Sequence, residues 1–176
     1  MLTYTAKTIA LTLRELPNAG KAPLGVQIYE GRAWPWLCDY QRHMNNARYL
    51  ELMDYGRTQF FVRSGLLPAF MKGRISGVAA ATQIVYRRSI EWMERYRLET
   101  QLVSWDDRWY IHEHRFRRAN GEIAAHAFVR SMLRDAQGPV NIGTYLAAQG
   151  IDATPQPASD ALKEFLSSSS KVARAL

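Results

Sequence analysis

Apolar positions along the chain change their period three times before the tail, and the changes mark out its elements. Over residues 4–16, Ile9, Leu13 and Leu16 recur at helical spacing until Pro17-Asn18-Ala19-Gly20 stops the run. The spacing predicts a short amphipathic helix with two fates open to it, packing on the body or lying on a membrane surface. Residues 27–37 read as a strand leading into Asp39, bent or at an edge because Pro35 has no N–H for a ladder. Over 46–64, Tyr49, Leu50, Met53, Phe60 and Phe61 return every three or four residues, which predicts the longest helix of the chain. Asn45 and Asn46 offer N-cap side chains at its start, and Gly65 suits its end.

After Gly77 the period becomes two. Residues 78–90, 96–105, 108–118 and 122–133 read as four consecutive strands, and Asn120-Gly121 supplies a hairpin turn that needs positive φ. Strand, long helix and antiparallel meander form an α+β order, one helix covering one face of one sheet. In the tail, Thr154-Pro155-Gln156-Pro157 breaks structure, 160–166 offers one or two helical turns, and the serines of 167–170 read as a flexible run. The expected division is a leading helix and linker over 1–24, one domain over 25–135, and a C-terminal extension over 136–176.

Composition narrows the class. With 176 residues, 47% hydrophobic and 22% charged, the chain suits a single domain with a real core. It has no apolar run of membrane-spanning length. Its N-terminus has no basic start, long apolar stretch or small-residue cleavage site, so a cytoplasmic location is expected. Cys38, the single cysteine, excludes an intrachain disulfide and a multi-cysteine zinc site. The net charge of +7 is carried mostly by arginine. Nucleic acid, an anionic membrane or a polyanion such as coenzyme A would each match it, as would a plain solvated surface. Zinc-finger spacing, a Lys/Arg-rich run and an aromatic RNA-binding signature are all missing, so nucleic acid is not an expected partner.

Chemistry concentrates in the run from Cys38-Asp39 through His43-Met44-Asn45-Asn46 to Tyr49, which lies between a strand and the start of the long helix. Free N–H groups at a helix N-terminus can hold a developing oxyanion, and a carboxylate beside them can attack or activate water. Cys38 would point away from Asp39 if both sat on one strand, which argues against a Cys–His nucleophile. His112 and His114 share one side of a strand and, with His126, would form only a weak metal set. The tryptophans are read as core and edge packing. Serine-hydrolase, nucleotide-loop and zincin motifs are missing, and no cofactor is expected.

Asp39-x-x-x-His43-Met44-Asn45-Asn46-x-x-Tyr49, followed by a helix and a four-strand meander, resembles the hotdog-fold thioesterase superfamily. The likeness continues through Asp54-Tyr55-Gly56-Arg57 to Ser104-Trp105-Asp106-Asp107-Arg108 and is closest to the thioesterase-superfamily-member, 4-hydroxybenzoyl-CoA thioesterase-like branch. The resemblance implies an antiparallel sheet wrapped around one long central helix. It also implies hydrolysis of an acyl-CoA or acyl-carrier thioester, and a homodimer or dimer of dimers with substrate at the interface. Asp39 would be nucleophile or general base, and the Asn46 N–H would polarise the carbonyl. His43 matches a histidine of plant acyl-carrier thioesterases, although Gln41 stands where those enzymes have asparagine. Asn45, Tyr49 and Asp54 would contact substrate, with an ordinary ion pair to Arg57 as the blander role for Asp54. The rival reading is a non-catalytic acyl-CoA or lipid-binding protein on the same fold.

Overall fold

The long helix expected from the three-to-four spacing is α2, Asn46–Arg63, and the rest of the chain is arranged around it. The computed structural model describes residues 2–21 and 24–175; Met1, Ala22 and Pro23 of the expected leading segment, and Leu176, lie outside the described residues. β1 (Gln27–Arg32), β2 (Ser76–Tyr86), β3 (Arg95–Trp105), β4 (Tyr110–Arg118) and β5 (Ile123–Arg134) form an antiparallel sheet in the order β1-β3-β4-β5-β2. A two-residue β6 (Pro139–Val140) pairs with β5. This is the α+β sheet-on-helix arrangement that the resemblance implies. Two short helices, α3 (Leu67–Met71) and α4 (Ile142–Ala148), connect the larger elements.

Alternation along the strands sends Tyr96, Leu98, Thr100, His114 and Phe116 under α2, and all five are buried. Contact is closest at Gly56. A Cβ there would come within 2.9 Å of the Thr100 Cβ and closer still to its hydroxyl, so only glycine lets the helix lie this near β3. His112 and His114 are fully buried on this face, and the His114 Nδ1 lies 2.9 Å from the Thr100 hydroxyl.

Four expectations change. The first strand ends at Arg32, because Pro35 opens a 3-10 turn over Pro35–Leu37. The second ends at Tyr86, and the N–H groups of Arg87 and Arg88 both reach the Ala124 carbonyl as the chain leaves the sheet. The serine run belongs to α5, Asp160–Ala175, which docks Leu162 and Phe165 on Ile111 and Phe128 of the opposite sheet face. Composition marked those serines as a linker; tertiary contacts and a hydrogen bond from Arg130 to Ser170 (2.9 Å) hold them helical. The sheet therefore carries helices on both faces.

The fourth change concerns α1, Leu2–Glu15. Sequence leaves two fates open to its apolar stripe, packing or a membrane surface; the helix packs against α2 with Leu11 buried, while Ile9, Leu13 and Leu16 of the stripe are exposed. Glu15 sets this rotation. Its carboxylate accepts from Arg63 Nε (3.0 Å) and Nη2 (2.9 Å) and from Gln59 (3.0 Å). Burial alone would raise the Glu15 carboxyl pKa, but these hydrogen bonds and the Arg63 charge hold it below the ordinary value. At the far side of the sheet, the outer edge of β2 pairs with no further strand among the described residues, and only its Ala81 and Ile84 are partly covered.

Gly56→Ala tests the helix–sheet contact. Alanine should gain about 1 kcal/mol in helix propensity, but forcing a methyl against Thr100 should cost about 1–3 kcal/mol. The expected result is a lower urea midpoint, and a higher midpoint would mean the approach is loose.

The buried histidines predict an acid-sensitive fold. Burial, and then the Arg57 charge, lower the His112 pKa from 6.5 to about 3 and push that of His114 well below its usual value. The unfolded chain thus binds protons near pH 6.5 that the folded one refuses, so stability is full above that pH and declines as pH falls. Unfolding free energy at pH 5 should lie below its value at pH 7 by about 2 kcal/mol per histidine. His112→Leu should flatten the curve, and a flat wild-type profile would contradict the burial.

Candidate active site

Asp39 to Asn45 form a tight turn whose backbone closes on itself. The Asp39 N–H donates to the His43 carbonyl (2.9 Å), and the Arg42 N–H donates to the Asp39 carbonyl (3.0 Å). Arg42 takes a left-handed conformation at φ 64°, uncommon for a residue with a Cβ. The 87–94 connection is stitched alongside: Met44 N–H donates to Ile90 O, and Trp92 N–H to Arg42 O, both at 2.8 Å. Met93, the other non-glycine residue with positive φ among the described residues, lies in that connection.

The turn delivers two groups to one place. Asp39 is partly buried; one of its oxygens accepts from the Gln41 N–H (2.9 Å), and the other takes no hydrogen bond among the described residues. Asn45 caps α2, its side chain accepting from the Ala47 N–H (2.9 Å). The next N–H, that of Asn46, has no acceptor among the described residues. Asp39, His43, Asn46 and Tyr49 all line a cavity of about 410 Å³ with Tyr86, Arg87 and Arg88. The first residue of α2 and Asp39 therefore border one cavity, where a positive helix end suits a carbonyl oxygen and a carboxylate suits attack or base chemistry.

Tyr49 enters this wall from the core, edge-on to Phe116 (4.7 Å) and Tyr86 (5.2 Å). Burial pushes its hydroxyl pKa up to about 12, so it remains a neutral donor. Tyr86 donates to the Asn46 carbonyl (3.2 Å) and steadies the helix start. Sequence reasoning missed Tyr86, Arg87 and Arg88 because residues 78–90 read as one strand. The break in alternation at Arg87-Arg88-Ser89 was the signal available.

Other candidates lie elsewhere. Asp54 lines a separate cavity of about 560 Å³, pairs with Arg57 and accepts from the Tyr4 hydroxyl (3.1 Å). Eight residues at about 1.5 Å each separate it from Asn46 along the helix. Glu51, a weaker candidate from sequence for a second carboxylate, is engaged by Arg48 (2.6 Å). The Gln41 side-chain amide donates to the Tyr40 hydroxyl (3.0 Å). Cys38 follows the 3-10 turn and bridges Met44; its thiol donates to the Ala33 carbonyl (3.6 Å), and burial, then the Asp39 charge, push its pKa up. It is thus a poor nucleophile for reasons of environment. His126 pairs with Glu113 (2.7 Å) on the sheet face opposite His112 and His114, which divides the three histidines.

Three comparisons bear on this geometry. Residues 33–166 match the family model described as the thioesterase-like superfamily. Protein THEM6 of Danio rerio is 35% identical over 156 residues, spanning 86% of this chain and 76% of that protein. Protein THEM6 of Xenopus laevis is 41% identical over 88 residues, spanning 50% and 42%. Among solved structures, the DHNA-CoA thioesterase of Staphylococcus aureus superposes with a TM-score of 0.63 at 15% identity, over 71% of this chain and 86% of that one. The probable thioesterase YbaW of Escherichia coli superposes with a TM-score of 0.63 at 20% identity, over 72% and 97%. At such identities the structural likeness speaks to the fold, and that fold is the hotdog. By its sequence match and its architecture together, the chain belongs to the thioesterase-like superfamily.

Proposed function

We propose that this protein hydrolyses an acyl-CoA, releasing the free acid and the CoA thiol at the turn that opens α2. The observation carrying this reading is the pairing, in one cavity, of the Asp39 carboxylate with an Asn46 N–H that has no acceptor among the described residues. The thioester carbonyl oxygen would accept from that N–H, and the positive helix end would stabilise the oxyanion formed on attack. The Asp39 oxygen without a hydrogen bond is the attacking group or the base. As nucleophile, it forms an acyl–carboxylate anhydride as the C–S bond breaks; the thiolate takes a proton, and water then cleaves the anhydride. As base, it takes a proton from water while that water's oxygen adds to the carbonyl. Oxygen-18 entering Asp39 during a single turnover would identify the first route.

Arg87 and Arg88 extend the reading to the nucleotide. Both residues border the cavity and neither is paired with a carboxylate among the described residues, although Arg88 donates to the Arg87 carbonyl (3.0 Å); their charge suits the CoA phosphates. A second copy is proposed along β2. That unpaired edge carries exposed Val78, Val85 and Tyr86, and its end borders the site, so a partner there would face the substrate.

Asp39→Asn keeps the shape and the polar contact to Gln41 but removes the charge. Thiol release should fall by roughly two or more orders of magnitude, with an unchanged melting temperature and retained acyl-CoA binding. Full activity in the folded variant would remove Asp39 from the mechanism. Acyl-CoA binding without turnover by the unmodified protein would support the binding-module alternative.

Replacing Arg87 and Arg88 by alanine should raise KM for acyl-CoA about tenfold, on the order of one lost charge-assisted contact, and leave kcat nearly unchanged. Wild-type KM for acyl-CoA should rise with salt, while that for a short thioester lacking the nucleotide stays level. Equal salt responses would return the arginines to a general surface role.

A further inference from the structure

Trp34, Trp36 and Trp92, read from sequence as packing residues, stand in the open at 41%, 59% and 45% exposure. Tyr40 and Met93 beside them are also exposed. These five side chains form one patch. Trp34 and Trp36 stack at 5.4 Å, the Met93 N–H donates to the Ala33 carbonyl, and the Trp92 N–H donates to the Arg42 carbonyl. Guanidinium groups frame it: Arg32 lies 5.8 Å from the Trp34 ring centre and donates to the Met93 carbonyl, and Arg42 lies 5.6 Å from the Trp92 ring centre. Arg95, opposite Arg32 in the β1–β3 register, is exposed as well. Of the nearby carboxylates, Glu94 is held by Arg118, while Glu91 is exposed.

The patch adjoins the active-site turn, since Tyr40 follows Asp39 and Arg42 precedes His43. Its Tyr40 and Arg42 side is next in the chain to Asp39 and His43, which share a cavity with Tyr86 of β2, while its Trp34 side belongs to the other end of the strand order. Ala33 and Trp34 follow β1, four strand spacings from β2, or about 19 Å at the usual separation.

We infer that this patch seats the protein on the headgroup layer of an anionic lipid bilayer. Indole and phenol rings combine an apolar body with a polar edge and favour the zone between water and hydrocarbon. Arginines around them match anionic headgroups, in keeping with the net charge of +7. The patch is aromatic and exposed, with guanidinium groups beside its rings, a combination that suits the headgroup layer of a lipid surface. Docking stands apart from the proposed hydrolysis. Its consequence, that acyl chains held in the bilayer are presented close to Asp39, rests on that reading.

Cosedimentation of the full chain with vesicles tests this without any assay of activity. Vesicles of one part phosphatidylserine to two parts phosphatidylcholine should bind the protein and blue-shift its tryptophan emission, and phosphatidylcholine alone should bind it far less. Trp34→Ser with Trp36→Ser should cut the bound fraction at least several-fold, as should Arg32→Gln with Arg42→Gln. Trp36→Ser alone, at the most exposed indole, serves as the second variant if either pair lowers the melting temperature. Ile9→Ser with Leu13→Ser on α1 should leave binding intact. Four results would overturn the proposal: no vesicle binding by the unmodified protein, equal binding by the tryptophan variants, loss of binding in the α1 variant instead, or a tryptophan variant that keeps vesicle binding but turns monomeric in light scattering or loses affinity for a short, soluble acyl-CoA.

Discussion

The approach of α2 to β3 at Gly56 is the constraint from which the rest of the arrangement follows. A helix held this close to a twisted sheet has little freedom to slide or roll, because the Thr100 side chain occupies the space a larger residue would need. Fixing the helix fixes its first turn. The Asn46 N–H then projects from a frame built of backbone and packed rings, with Tyr49 wedged between Phe116 and Tyr86. The Asn46 end of the candidate chemistry thus starts an element packed closely on the sheet, which favours exact positioning.

The same interface is unusually polar. Thr100, His112, His114, Gln59 and Gln27 are buried along the underside of the helix. The histidines remain uncharged there, so the layer is polar without placing net charge in the core; His114 meets the Thr100 hydroxyl, while neither ring nitrogen of His112 has a hydrogen-bond partner among the described residues. Glu15 works in the opposite way. It keeps its charge because Arg63 and Gln59 meet it, and that contact decides which side of α1 turns inward.

What could be read in the sequence follows from how local each determinant is. The helix over Asn46–Arg63 and the meander from β3 to β5 were legible because their periods are long and their ends carry Asn45, Gly65 and Asn120-Gly121. Asp39, His43, Asn45, Asn46 and Tyr49 were legible as one cluster because they are neighbours in the chain. The structure adds Tyr86, Arg87 and Arg88, which reach the cavity only through a strand that stops early. Asp54 was grouped with the site by motif, yet it belongs to a different cavity two helical turns on. The orientation of α1 and the helicity of the four serines in α5 were hidden for a related reason. Both depend on distant partners, Arg63 in one case and Arg130 in the other, that no local period encodes.

The stitching of the Asp39 turn to the 87–94 connection has one more consequence. Met44 and Trp92 join the two segments through backbone hydrogen bonds to Ile90 and Arg42, and each segment holds one residue in the left-handed region. The carboxylate and the two cavity-lining arginines therefore belong to one mechanical unit. Under the proposed reading, a phosphate at Arg87 and Arg88 and an acyl carbonyl at Asn46 would both act on this unit, and by reciprocity any order that one contributes would tighten the hold on the other. Linkage of this kind makes the two ends of a substrate cooperative within a single molecule. A fragment bearing only one end would bind more weakly than half of the whole would suggest.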